Sequence, residues 1–177
     1  METLFFLHSF LLFSCVSSEQ RSFRIVLDHI STKILDTKTV EKLSCDVEQI
    51  SNRSYVNCHM LLNREVAKVD VRNIVTFLKP NGQEMKLYEG RLDACLVIGS
   101  FQKNRLVNLY SKHFRKFSNL ECPFKANFNY TVKDLYFDEQ DLPSFVPFGT
   151  FRSLTEFYLN QTLATRLITH GKVIPRL

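Results

Sequence analysis

An antiparallel β-sandwich is the fold this sequence predicts, and three observations carry it. Apolar and polar residues alternate with period two over most of the chain, turn signals separate the alternating runs, and no strand-helix repeat is present. The composition agrees. With 45% hydrophobic residues, 16 Phe, and only 5 Gly and 5 Pro in 177 residues, the chain is neither disordered nor collagen-like nor a Gly/Pro low-complexity polymer. No internal repeat or linker divides it, so one domain is expected.

The first residues stand apart from the fold. Leu4 to Val16 reads LFFLHSFLLFSCV, an apolar stretch of 13 that is too short for the roughly 20 helical residues a bilayer needs. Small Ser17 and Ser18 follow it, so residues 1–18 read as a secretory signal peptide with Val16 and Ser18 at the −3 and −1 positions. The region before it carries Glu2 and no Lys or Arg. The expected mature chain, 19–177, balances 23 Lys and Arg against 17 acids once Glu2 is removed, a net charge of +6. A domain of this size buries about 68–70% of its unfolded-chain surface and can hold a core without metal.

Removing Cys15 leaves four cysteines, Cys45, Cys58, Cys95 and Cys122, which allow three pairings. No C-x-x-C or His/Cys cluster at zinc spacing occurs, so disulfides in an oxidising compartment are expected and a metal is not. Three sequons, at Asn52, Asn129 and Asn160, fit a secreted glycoprotein.

The strands follow in order. Phe23 to Ile30 begins the series. In Glu41 to Gln49 the residues Leu43, Cys45 and Val47 share a face; in Tyr55 to Leu62 the face is Val56, Cys58, Met60 and Leu62. A tight turn at Ser51-Asn52 sets Leu43 opposite Met60, Cys45 opposite Cys58 and Val47 opposite Val56, so every inward residue meets an inward residue. A slip of one residue would turn that pattern inside out. Cys45 therefore pairs with Cys58 and, by elimination, Cys95 with Cys122, with crossed pairings as the alternative. Val69, Val71, Val75 and Phe77 then alternate with Asp70, Arg72 and Thr76 up to a turn at Pro80-Asn81-Gly82. Met85 to Ile98 reads as a long returning strand. Phe128, Tyr130 and Val132 form another, and Phe151 to Leu159 and Leu163 to Ile174 close the chain around a bend at Asn160-Gln161.

One segment breaks the rhythm. Leu106, Leu109, Tyr110, Phe114 and Phe117 recur at steps of three and four among Lys103, Arg105, Lys112, Arg115 and Lys116, which reads as an amphipathic basic helix near 103–117 inserted between Cys95 and Cys122.

Chemistry is sparse. No HExxH or GxSxG occurs, the histidines are scattered, and the glycines are too dispersed to cradle a phosphate, so neither an enzyme nor a cofactor is expected. Asp138, Glu139 and Asp141 bunch before Pro143 as a solvated turn would. The basic helix could meet an anionic membrane surface or a membrane receptor. Nucleic acid is discarded as a partner for a secreted chain. Aromatic weight is the unusual feature, with 12 Phe and 6 Tyr beyond residue 18 and no Trp. Two sheets lined by such side chains can pack dry, or can stand apart around an apolar pocket. The alternation puts Val69, Val71, Val75 and Phe77 on that lining, with Phe128, Tyr130 and Val132 from a second strand. Phe151, Phe157 and, from the helix, Phe114 complete the candidate cavity.

Cys45, Asn52-x-Ser54, Cys58, Asp93-Ala94-Cys95, the helix, Glu121-Cys122-Pro123 and Val146-Pro147-Phe148-Gly149-Thr150-Phe151 together form a recognisable pattern. It resembles an insect family of small secreted proteins of unknown function, related to the ML lipid-recognition domain and akin to the chemosensory CheB proteins. The resemblance spans Phe23 to the C-terminus. It implies an immunoglobulin-like sandwich whose interior accepts a lipid or other hydrophobic molecule, extracellular chemical sensing for some relatives, and no catalytic residue. Two functions are thus expected to compete: a secreted binder of a hydrophobic small molecule, and an extracellular interaction module or co-receptor with a closed core that uses its basic helix.

Overall fold

The computed structural model describes residues 21–79, 81–99, 111, 114–142, 144 and 146–176. The expected signal peptide and most of the basic segment, including Lys103, Arg105, Leu106, Leu109, Tyr110 and Lys112, lie outside the described residues. Among the described residues there are eight strands: β1 (Phe23–Ile34), β2 (Val40–Ile50), β3 (Arg53–Leu62), β4 (Val69–Leu78), β5 (Glu84–Asp93), β6 (Tyr130–Leu135), β7 (Gly149–Leu159) and β8 (Thr162–Pro175). They form a five-stranded antiparallel sheet in the order β1-β8-β7-β4-β5 and a three-stranded one in the order β2-β3-β6. The fold is an antiparallel β-sandwich. No helix among the described residues is long and apolar enough to cross a membrane.

The β2–β3 hairpin has the register that alternation dictates. Leu43 faces Met60, Cys45 faces Cys58 and Val47 faces Val56, while Ser44, Asp46 and Glu48 pair with His59, Asn57 and Tyr55 on the outer side. Ser51 and Asn52 both take positive φ, 46° and 67°, the conformation a two-residue hairpin turn requires. Asn160 and Gln161 do the same between β7 and β8, at 46° and 71°. The disulfides are Cys45–Cys58, which staples the hairpin across 13 residues, and Cys95–Cys122, across 27.

Two features depart from the sequence reading. The long strand from Met85 to Ile98 ends at Asp93, and α1 (Ala94–Gly99) follows. The cause is a cap: the Asp93 carboxylate accepts from the backbone N–H of Cys95 at 2.8 Å and of Leu96 at 3.2 Å, satisfying donors that a helix start leaves open. The strand expected to include Phe128 begins only at Tyr130. Asn127 turns the chain at φ 55°, and its N–H bonds to the Leu62 carbonyl, so Phe128 falls before β6 and is 42% exposed, its ring against Tyr130.

A bulge in β1 between Leu27 and His29 links the sheets. The Leu27 N–H donates to the buried Ser54 hydroxyl at 2.9 Å; Ser54 donates to Gln49, and the Gln49 amide donates to the Leu27 carbonyl at 2.6 Å. Opposite Leu27 stands Gly171, where a Cβ would lie 2.6 Å from the Val26 carbonyl and 2.7 Å from the Phe151 ring. Glycine is what lets Phe151 pack onto that strand. Farther along β1, Thr32 donates to the Leu43 carbonyl at 3.3 Å. The two sheets approach most closely along this side, where β1 meets β2 and β3.

Candidate functional site

The inner face of the five-stranded sheet has three zones. At one end Phe23, Leu27, Phe77, Phe151 and Val173 pack with Val56, Val132 and Leu135 of the smaller sheet, all at most 9% exposed. At the other end Val69, Leu159 and Ala164 pack with Val40, Leu62, Val66, Phe124 and Tyr130. Both clusters are closed to water, as close-packed cores are. Between them the pairing places Val71 beside Phe157, Asn73 beside Thr155 and Val75 beside Ser153, and carries the rows onward to Leu167 and Thr169 of β8. Every one of these middle residues is only half-buried, although its position in the alternation turns it toward the interior.

Polar groups interrupt the middle. The Asn73 side-chain amide donates to the Ser153 hydroxyl and the Thr155 hydroxyl, each at 2.8 Å, and more weakly to the Leu154 carbonyl at 3.4 Å. Gly90 pairs with Asn73 on β5, and the Tyr88 side chain folds over it. No charged side chain occupies these inner rows among the described residues.

The described parts of the segment that follows β5 pack on both clusters. In α1, Ala94, Cys95 and Ile98 pack on the second cluster, whereas Phe114 and Phe117 pack on the first, and Leu120 touches both. Residues 111 and 114–117 are helical, and the Cys95–Cys122 bridge returns the chain to the second cluster. Arg115 and Lys116 are exposed on this helical stretch, with Lys116 lying over the Phe117 ring.

The sequence-derived lining therefore divides. Val71, Val75, Phe157 and Phe114 sit half-buried at the middle or on its cover. Val69, Phe77, Tyr130, Val132 and Phe151 belong to the closed ends, and Phe128 lies at the surface rather than in the interior because β6 starts after it. The alternation argument missed Asn73, Ser153 and Thr155. Their signal was present, since each is a polar residue at an inward position of an otherwise apolar run. A notch between Ile25, Leu27, Arg53, Ser54 and Phe137 has room for little more than a water molecule.

On the outer face of the larger sheet charges form pairs, and off the sheet the buried Glu139 carboxylate accepts from the Ile25 N–H and meets Arg176 at 3.3 Å. The Arg72 guanidinium bridges Glu89 and Glu156, Lys86 meets Glu89 at 2.7 Å, and Arg166 meets Glu156 at 2.8 Å. The hydrogen bonds from Lys86 and then Arg72 hold the Glu89 carboxyl down at about 2. Burial works to raise Glu156, but bonds from Tyr158, Arg166 and Arg72 outweigh it and leave that carboxyl below its ordinary value. No group of three or more His, Cys, Asp or Glu that could hold a metal occurs among the described residues. The sequon residues Asn52, Asn129 and Asn160 are all exposed.

Compared with known proteins, residues 71–153 match the family model described as "Protein of unknown function (DUF1091)". No curated protein matches the chain. Among solved structures it is similar to chicken MD-1 complexed with lipid IVa, with a TM-score of 0.43 and 11% identity over 88% of this chain and 98% of that one. It is also similar to a Niemann-Pick type C2 protein from the Japanese carpenter ant, with a TM-score of 0.41 and 11% identity over 83% of this chain and 98% of that one.

Proposed function

We propose that this chain is a secreted, non-enzymatic binder of a lipid or other hydrophobic small molecule, held between the two sheets. Residues 1–18 direct secretion, 19–177 form the single binding domain, and Asn52, Asn129 and Asn160 carry glycans. One observation supports the reading above others: the middle of the inner face stays half-exposed while both ends are sealed. A closed core would bury Val71, Val75, Phe157 and Leu167 as completely as it buries Val69 and Phe77. Apolar walls with a few convergent polar groups are the usual make-up of a small-molecule site. Each ligand methylene taken from water into such a site contributes about 0.8 kcal/mol, so a long chain binds without a charged anchor. A carrier of this kind suits extracellular chemical sensing, with release at a membrane receptor.

Native mass spectrometry of the protein secreted from insect cells tests the proposal. The expected result is an added mass that denaturing solvent releases, or uptake of a long-chain hydrocarbon by the apo protein. A clean apo mass with no uptake overturns it.

A further inference from the structure

From the placement of Asn73, Ser153 and Thr155 we infer that the ligand is an uncharged amphiphile whose hydrogen-bonding oxygen lies within its chain, with an apolar arm on each side. This inference rests on the inter-sheet binding reading and says which class of molecule that site selects.

The position comes first. Along β4 the inward residues run Val69, Val71, Asn73, Val75, Phe77, and along β7 they run Phe151, Ser153, Thr155, Phe157, Leu159. Both strands therefore carry the polar residues at their centres, with apolar residues leading to a different cluster at each end. A head-group site would put polarity at one end of the cavity and hydrocarbon along the rest. Here polarity lies mid-way.

Hydrogen-bonding capacity comes second. The Asn73 amide N–H groups are spent on the two hydroxyls, so the oxygens of Ser153 and Thr155 already accept. Their protons, and the Asn73 carbonyl, have no partner among the described residues, and Asn73, Ser153 and Thr155 are each only half-buried, so these groups remain within reach of a bound molecule. Two adjacent hydroxyl donors suit one acceptor oxygen, such as a ketone, ester or ether oxygen. Charge decides the rest. Among the described residues these inner rows carry no cation to pair with a carboxylate or phosphate, so they suit a neutral oxygen better.

The test compares three probes of equal chain length on the full secreted protein: an n-alkane, the ketone with its carbonyl at mid-chain, and the fatty-acid anion. The ratio of ketone to alkane affinity is read in the native protein and in Ser153→Ala/Thr155→Val, because the ratio cancels whatever the substitutions do to the apolar walls. The expected result is a fall in that ratio of about tenfold with alkane affinity unchanged, the size expected for losing hydrogen bonds to one oxygen. An unchanged ratio overturns the inference, as does a fatty-acid anion bound as tightly as the ketone. Should the double variant not fold, Ser153→Ala alone is read in the same way. If none of the probes binds the native protein, the binding reading fails and this inference with it. If the alkane binds and the ratio does not move, only this inference fails.

Discussion

The two ends of the sandwich and its middle are built from the same strands, yet they solve different problems. At the ends, β4 and β7 present Val69 with Leu159 and Phe77 with Phe151, large apolar pairs that meet the opposite sheet and exclude water. Midway along the same strands, Asn73, Ser153 and Thr155 replace the large residues, and these positions and their inward neighbours are only half-buried. The sheets are pinned along the β1 side by the Ser54 and Thr32 hydrogen bonds and by the close approach of β1 to β2 and β3. Beyond β5, α1 and residues 114–122 pack on the two clusters, and the Cys95–Cys122 bridge ties them together. The ends are close-packed and apolar, whereas the middle is half-buried and carries the polar group to which the proposed function assigns the ligand.

Paired truncations test that division most directly. Leu62→Ala, at a sealed end where the side chain is 1% exposed, is expected to cost ~2–5 kcal/mol. Leu167→Ala, on the middle row of the same sandwich, removes identical atoms from a half-buried site and is expected to cost less than ~2 kcal/mol, because no tight cavity is created. Urea midpoints for the two variants decide it, and equal costs would erase the distinction. Replacing Cys45 and Cys58 together by Ala should lower stability by about 3 kcal/mol in the chain-entropy account, without shifting the ketone-to-alkane ratio. Loss of that selectivity would place the hairpin staple within the site rather than beside it.

Gly171→Ala is the next smaller effect. The added methyl meets the Val26 carbonyl and the Phe151 ring, so a loss of about 1–3 kcal/mol is expected, confined to the first cluster. Thermal unfolding measures it, and a neutral result would show that β1 and Phe151 yield more readily than the packing implies. The smallest effect belongs to the outer face. Glu89 and Glu156 are held below the ordinary value of 4.5, so their pairs favour the fold at pH above about 4.5, and that contribution disappears as the pH falls through the folded-state values, about 2 for Glu89. Stability should fall modestly from pH 5 to pH 2, and Arg72→Met should flatten that slope. An identical slope in the variant would assign the acid sensitivity elsewhere.

Local pattern made much of this architecture readable before any coordinates. The β2–β3 register follows from alternation because a strand's period is two and only one register buries Leu43, Cys45 and Val47 against their partners. The turns at Ser51-Asn52 and Asn160-Gln161 are each marked by one Asn, a residue that tolerates positive φ. Reading failed where one side chain changes the backbone's course. Asp93 converts a continuing apolar run into a helix start, and Asn127 delays β6 past Phe128; alternation is blind to both. Alternation likewise places Tyr130 and Phe151, which are buried at the ends, on one inward face with Val71 and Val75, which are half-buried, and it does not tell the two groups apart.

What lies within reach of near neighbours in the chain, namely strand periodicity, hairpin register and the staple between Cys45 and Cys58, was written in the sequence, because those interactions involve fragments a few residues apart. The central polar group was not. Asn73 and Ser153 stand 80 positions apart and meet only because β7 inserts between β8 and β4 in the larger sheet. How deeply the row they form is buried depends on how far the second sheet and the described residues flanking the Cys95–Cys122 bridge reach across it. That reach is set by the close approach of the sheets along β1 and by the long-range bridge from Cys95 to Cys122, and no stretch of local pattern encodes it.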